Sequence, residues 1–125
     1  MPLLRITSNT QRGSLADYYR EHATVPGNPE MLELLPHLER VCAEPVVWCL
    51  VSMHRLVLLT ADDWQSPWLV FIQHDPFGFS VRYRLPDAVA PFPGACIVGE
   101  REKPSDAAEL IPTALRGCGG WPPHA

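Results

Sequence analysis

The chain has 125 residues, of which 46% are hydrophobic and 19% are charged, and its formal net charge is −4 at pH 7. This length and composition suit one globular domain with its own core and exclude a long disordered chain. The weakly acidic balance does not attract a phosphate backbone, so we expect no nucleic-acid partner. The 14 prolines are spread along the chain and indicate loops rather than a polyproline tract.

The sequence carries no sign of export or of a membrane span. Its first residues lack a basic segment followed by a long apolar run, and the longest apolar stretches, residues 46–51 and 56–59, are too short to cross a bilayer. No two of the four cysteines, Cys42, Cys49, Cys96 and Cys118, have the spacing of a zinc or redox motif. We therefore expect a cytoplasmic protein with reduced thiols, no metal, no cofactor and no contact with a membrane.

The N-terminal third predicts two helices. Residues 1–12 are expected to form an N-terminal arm or a short edge strand. Ser14, with Asp17 three residues later, predicts a capping box at the start of a short helix. The run Asn28-Pro29-Glu30 predicts the cap and first turn of a second helix. An apolar stripe at helical spacing follows it: Met31, Leu34, Leu35, Leu38, Val41 and Cys42.

Two features of the first half leave alternatives open. Pro36 lies inside the second predicted helix and must kink it or restart it. Residues 46–51 favour a buried strand, although their periodicity also permits a buried helix. A strand is predicted over residues 55–60, but the intervening Met53-His54 is poor chemistry for a two-residue hairpin turn.

The second half is a sequence of strands closed by a helix. Residues 68–72 predict a buried strand, and Asp75-Pro76-Phe77-Gly78 has the composition of a type I turn. Apolar and polar residues then alternate strictly. The side chains expected in the core are Phe79, Val81, Tyr83 and Leu85, and those expected on the solvent-exposed face are Ser80, Arg82 and Arg84. A strand over residues 95–98, a last helix capped by Ser105 and interrupted by Pro112, and a tail at 121–125 complete the chain.

Together these elements predict an α+β fold in a single domain, residues 1–125. Short turns between strands favour antiparallel pairing, because parallel strands need long crossovers. We expect an antiparallel meander of four to five strands, with the N-terminal helices and the C-terminal helix packed on one face.

No motif in the chain specifies a catalytic centre. The histidines have no metal-ligand spacing, no serine lies in a nucleophile elbow, and no glycine-rich loop opens a helix. Tryptophan and phenylalanine in loops, beside acidic and basic side chains, are instead typical of protein interfaces. The residues predicted to bind a partner are Asp62, Asp63, Trp64, Trp68, Phe77, Arg82, Arg84 and Phe92.

We therefore predict a non-enzymatic protein-binding domain. An acidic chain of this size is similar in size and fold class to bacterial immunity proteins, which neutralise a toxin by direct binding, and a basic toxin domain would suit its charge. The alternative is a small enzyme or small-ligand-binding domain that uses Arg82, Arg84, His74 and Asp62 or Asp63. A homodimer formed through the same aromatic side chains is a third interpretation.

Overall fold

A six-stranded sheet forms the frame of the protein. The computed structural model describes residues 3–5, 13–42 and 46–121. The strands are β1 (Leu3–Arg5), β2 (Val47–Ser52), β3 (Arg55–Leu59), β4 (Val70–Asp75), β5 (Gly78–Arg84) and β6 (Cys96–Arg101), and they lie in the sheet in this order. Strand β1 pairs with β2 in parallel, and all later neighbours pair antiparallel. The predicted antiparallel meander is confirmed in β2–β6, and residues 47–51 of the predicted segment 46–51 belong to a strand rather than a helix.

In the part of the chain that the structure describes, three helices cover one face of this sheet. They are α1 (Leu15–Glu21), α2 (Asn28–Val41) and α3 (Pro104–Gly117), and α2 contacts both α1 and α3. Their apolar sides share one core with the inward side chains of β2–β5. The predicted α+β fold, with helices packed on one face, is confirmed. In the described part of the chain, no helix has the length and apolar character needed to cross a membrane.

The helix starts agree with the sequence only in part. The predicted capping box of α1 is present: the Asp17 amide donates to the Ser14 hydroxyl, and the Ser14 amide donates to the Asp17 carboxylate. For α2 the cap is Gly27, at φ 92°, and not Asn28. Asn28 lies inside the first turn, because its buried side chain donates to the carbonyl of His22 instead.

The start of α3 lies before the residue predicted to cap it. Lys103 is the N-cap, and Ser105 lies within the first turn. Proline at the first helical position explains this shift, because the fixed φ of Pro104 is already helical and no amide hydrogen is lost. The prediction that Ser105 caps this helix is therefore wrong.

Both internal prolines are accommodated without a restart. Pro36 lies inside α2 and Pro112 inside α3, and each helix continues through its proline. A proline removes one intrahelical hydrogen bond and crowds the preceding turn. In α2 the buried side chains on both sides of Pro36 bind the helix to the sheet and offset that cost: Leu34, Leu35 and Leu38.

The β2–β3 connection uses a turn that its residue types do not favour. Met53 and His54 form a two-residue turn with φ values of 53° and 66°, the pattern of a type I′ hairpin. Asparagine and glycine normally occupy such positions, because left-handed backbone is costly for other residues. Contacts with the helices compensate: the Tyr19 hydroxyl donates to the His54 carbonyl at 3.3 Å, and Tyr18 reaches the His54 ring.

Replacing Met53 by asparagine is expected to raise the free energy of unfolding by up to about 1 kcal/mol, because asparagine tolerates left-handed backbone better. Met53 is 83% exposed, so little packing is lost. Urea denaturation measures the change. Phe77→Asn is the control, since Phe77 is 87% exposed on the neighbouring turn and has no positive φ. Equal shifts in both variants would contradict the explanation by backbone conformation.

The facing pattern of β5 follows the predicted alternation. Phe79 and Val81 are buried against the helices, Tyr83 packs on the same core, and Arg82 is exposed on the opposite face. Two details differ. Leu85 follows the strand and does not belong to the core cluster. Ser80 was expected to be solvent-exposed, but only 7% of its surface is exposed.

Trp121 belongs to the core and not to a tail. It is 6% exposed, and its Nε1 donates to the Val46 carbonyl at 3.1 Å. An indole is buried readily when its N–H finds an acceptor, and this contact closes the chain onto the start of β2. Residues 122–125 of the predicted tail and residues 1–2 and 6–12 of the predicted arm lie outside the described residues, whereas Leu3–Arg5 is an edge strand.

Candidate functional site: the open face of the sheet

The sheet face opposite the helices carries a second apolar cluster. Its buried members are Val57, Leu59 and Phe71, and Trp48 and Leu50 pack against them. The pairing register places Leu50, Val57, Phe71, Arg82 and Val98 in one row across five strands. We call this side the open face, because in the described part of the chain the helices all pack on the other side.

A cavity of about 320 Å³ lies on the open face, and we call it the groove. The strands supply its apolar floor: Leu50, Val57, Leu59 and Phe71. The loop between β3 and β4 supplies Trp64, Ser66 and Trp68, while Ser52, Arg55 and Arg82 add polar groups. Ligand sites have volumes from about 300 Å³ upward and combine apolar walls with a few polar groups, so the groove fits that description.

The loop over residues 60–69 places its two tryptophans by local hydrogen bonds. The Asp63 side chain accepts from the Gln65 amide at 3.0 Å, and the Asp63 carbonyl accepts from the Ser66 amide at 3.0 Å. This turn brings Trp68 edge-on to Phe71, with ring centroids 5.2 Å apart. Trp64 remains 51% exposed and Trp68 37% exposed, so both present ring surface at the rim of the groove.

Two arginines lie over the aromatic floor of the groove. The guanidinium carbon of Arg55 is 4.8 Å from the centre of the Phe71 ring, and that of Arg82 is 5.5 Å away. Such cation–π contacts hold a guanidinium flat against a ring and leave its N–H edge available. The groove therefore combines apolar walls with two positive charges.

The structure gathers three of the predicted partner-binding residues in the groove: Trp64, Trp68 and Arg82. Asp62 and Asp63 lie in the same loop but outside the groove lining. Arg84 lies on the open face at the end of β5, opposite Cys96. Phe92, 64% exposed, belongs to the loop between β5 and β6, and Phe77 lies on the β4–β5 turn at the other end of the sheet.

The side chains of the enzymatic alternative do not form one site. His74 pairs with Phe79 on the helix-facing side of the sheet, whereas Arg82 lies on the open face. His74 instead borders a smaller cavity of about 180 Å³ beside the β2–β3 turn. His74 thus faces away from Arg82, the arginine proposed to bind an anion.

The smaller cavity contains a histidine whose ring nitrogen is already in use. Nδ1 of His54 lies 2.9 Å from the Tyr18 hydroxyl oxygen and 3.2 Å from the side-chain nitrogen of Asn28. The Asn28 amide nitrogen also donates to the His22 carbonyl at 3.0 Å. This network ties α1 and α2 to the β2–β3 turn, which is a structural role.

The buried cysteines are poor nucleophiles. Burial raises the pKa of the Cys42 thiol to about 11, and burial together with the nearby Cys42 raises the pKa of Cys49 further. Burial also raises the pKa of Cys118, partly offset by the Gly120 amide that donates to its sulfur. A raised pKa keeps the thiol protonated at neutral pH, and the thiolate is the reactive form.

Only Cys96 is expected to react quickly with dithiobis-nitrobenzoate in the native protein at neutral pH. Cys96 is partly exposed, whereas the other three cysteines are buried. Absorbance of the released thiolate should show one fast equivalent, and Cys96→Ser should abolish it. A fast phase that survives in this variant would show that a buried cysteine is accessible.

Sequence reasoning missed Arg55 and the apolar floor of the groove. A signal was present, because Leu56-Val57-Leu58-Leu59 has no polar alternation, which is typical of a strand buried on both faces. In the described residues, no group of three potential ligands among His, Cys, Asp and Glu is placed to hold a metal ion. Comparison with protein-family models, curated protein sequences and solved structures finds no match to this chain.

Proposed function

We propose that this chain is a non-enzymatic binding domain that captures another protein on the open face of its sheet. One observation carries the proposal: Trp64 and Trp68 stand half-exposed at the rim of an apolar groove built on a rigid sheet. Tryptophan and arginine are among the residue types that are enriched at the positions contributing most to binding at protein interfaces.

The distribution of titratable groups supports binding over catalysis. The enzymatic alternative requires His74 and Arg82 to contact the same substrate. These two residues lie on opposite faces of the sheet. The groove itself is lined by apolar, hydroxyl and guanidinium groups, and its lining includes no histidine or carboxylate. Such a lining can hold a ligand but offers no general base at neutral pH.

Neutralisation of a basic toxin by direct binding is one form of this function. The net charge of −4 favours association with a basic protein. Asp62 and Asp63 lie next to Trp64 in the loop that borders the groove, so a basic residue of the partner would meet them beside the tryptophan anchor. This narrower role rests on charge and size.

Selection of peptides from a random library on the immobilised protein tests the binding function. We expect peptides whose affinity falls at least tenfold in Trp64→Ala and in Trp68→Ala, because an anchoring tryptophan contributes about 2 kcal/mol or more. Phe92→Ala is the matched control, since Phe92 is an exposed aromatic outside the groove, and it should leave affinity unchanged.

Thermal melting of each variant separates loss of binding from loss of structure. If no selected peptide depends on either tryptophan while both variants melt like the unaltered protein, the open face is not the binding surface. If both variants melt several degrees lower and bind as before, the tryptophans only cover the sheet.

A further inference from the structure

The groove concentrates positive charge without neutralising it. Arg55 and Arg82 approach the same Phe71 ring, at 4.8 and 5.5 Å from its centre. Among the described residues, the only ion pair joins Arg20 to Asp17, so neither groove arginine is paired with a carboxylate. Arg55 donates from Nε to the Ser52 carbonyl at 3.4 Å, and Arg82 has no hydrogen-bond partner in the described part of the chain.

This arrangement restricts what can cover the groove. Arg82 is exposed, so water now solvates its guanidinium. A partner that excludes this water must replace it with hydrogen-bond acceptors, because covering an unpaired cation is strongly unfavourable. A carboxylate meets the requirement best, since its two oxygens match the paired N–H groups of a guanidinium. A neutral or basic segment would leave both cations unpaired, so we expect it to bind the groove more weakly than an acidic one.

The rest of the groove determines what accompanies the carboxylate. Its floor and walls are apolar and aromatic, and its volume of about 320 Å³ is at the small end of ligand sites. That space admits an apolar or aromatic side chain between the loop tryptophans and Phe71, but not a folded element. The arginines lie beside this space, so the carboxylate belongs on a residue next to the apolar one.

We propose that the groove recognises a segment of a partner protein in which an aspartate or glutamate stands beside a large apolar side chain. The carboxylate pairs with the exposed guanidinium of Arg82, and the apolar side chain packs against Trp64, Trp68 and Phe71. This inference rests on the proposed binding function and specifies the chemistry of the partner. Asp62 and Asp63 lie outside the groove lining, so basic residues elsewhere on the partner remain compatible with it.

Two capped dipeptides that differ only in charge test the proposal: acetyl-aspartyl-phenylalaninamide and acetyl-asparaginyl-phenylalaninamide. Titration into the whole protein is followed by the amide and indole signals of its nuclear magnetic resonance spectrum. The aspartyl probe should shift signals of the open face and bind at least tenfold more tightly than the asparaginyl probe. Added salt should weaken only the aspartyl probe.

Two arginine variants locate the effect. Arg82→Gln should abolish the difference between the probes, whereas Arg84→Gln, on the same face but outside the groove, should preserve it. If both probes shift open-face signals and bind with equal affinity, the groove does not discriminate between charged and neutral ligands. This inference then fails, while the proposed binding function stands. If neither probe shifts those signals, or if Arg84→Gln acts like Arg82→Gln, the inference is also overturned. Failure of the binding function itself is seen separately, as the absence of tryptophan-dependent peptides in the library selection.

Discussion

Replacing Leu58 by alanine is expected to lower the free energy of unfolding by about 2–5 kcal/mol, the usual cost of a cavity in a core. Leu58 lies in the middle of β3, pairs with Cys49 and Val70, and is fully buried on the helix-facing side. A rigid sheet on one side and helices on the other leave little freedom to close the space. Because small domains are stable by only about 5–15 kcal/mol, this change alone removes a large share of the total.

Chemical denaturation at constant temperature measures the loss. Val89→Ala is the control, since Val89 is 67% exposed in the loop between β5 and β6 and should change stability by about 0.5 kcal/mol or less. A Leu58 variant no less stable than the Val89 variant would mean that the helices do not pack on this face.

Replacing Gly78 by alanine is the second large effect, and we expect a loss of about 3 kcal/mol or more, since backbone strain and a steric clash add. Gly78 begins β5 at φ 130°, a conformation that residues with a Cβ rarely adopt. A Cβ there would lie 2.7 Å from the carbonyl oxygen of Arg101 and 3.1 Å from the Cα of Glu102. Both neighbours are backbone atoms at the end of β6, so relief requires the strands to separate.

The variant Gly94→Ala separates the cost of the steric clash from the cost of the strained backbone. Gly94 also has a positive φ, 79°, but a Cβ there would meet nothing within 4 Å. Its variant should lose only the left-handed penalty, about 1–2 kcal/mol. Equal losses at the two positions would show that β6 does not approach Gly78 as closely as the structure describes.

Much of the fold follows from patterns that span only a few residues. The alternation of apolar and polar side chains from Phe79 to Arg84 determines which face of β5 enters the core, because successive side chains of a strand point to opposite sides. Ser14 and Asp17 form their capping box within one helical turn, so the sequence reveals it directly. The Asp75–Gly78 turn is equally local, with the Asp75 carboxylate accepting from the Phe77 amide at 2.9 Å.

Sequence patterns failed where distant contacts oppose a local preference. Met53 and His54 occupy a turn that suits neither residue, and Tyr18, Tyr19 and Asn28 from the helices hold it. No window of sequence shows that compensation, because the partners lie 26 to 36 residues away.

By itself, then, the sequence determined the fold class, the meander of β2–β6, the start of α1 and the choice of Trp64, Trp68 and Arg82 as candidate binding residues. Only the tertiary structure decided that these three share a groove with Arg55 and Phe71, and that His74 lies on the other side of the sheet. The physical reason is the register of the strands. A shift of one residue between β4 and β5 would turn every side chain of one strand to the other face and separate Arg82 from Phe71. Pairing between strands, and not the pattern within any one of them, creates the site.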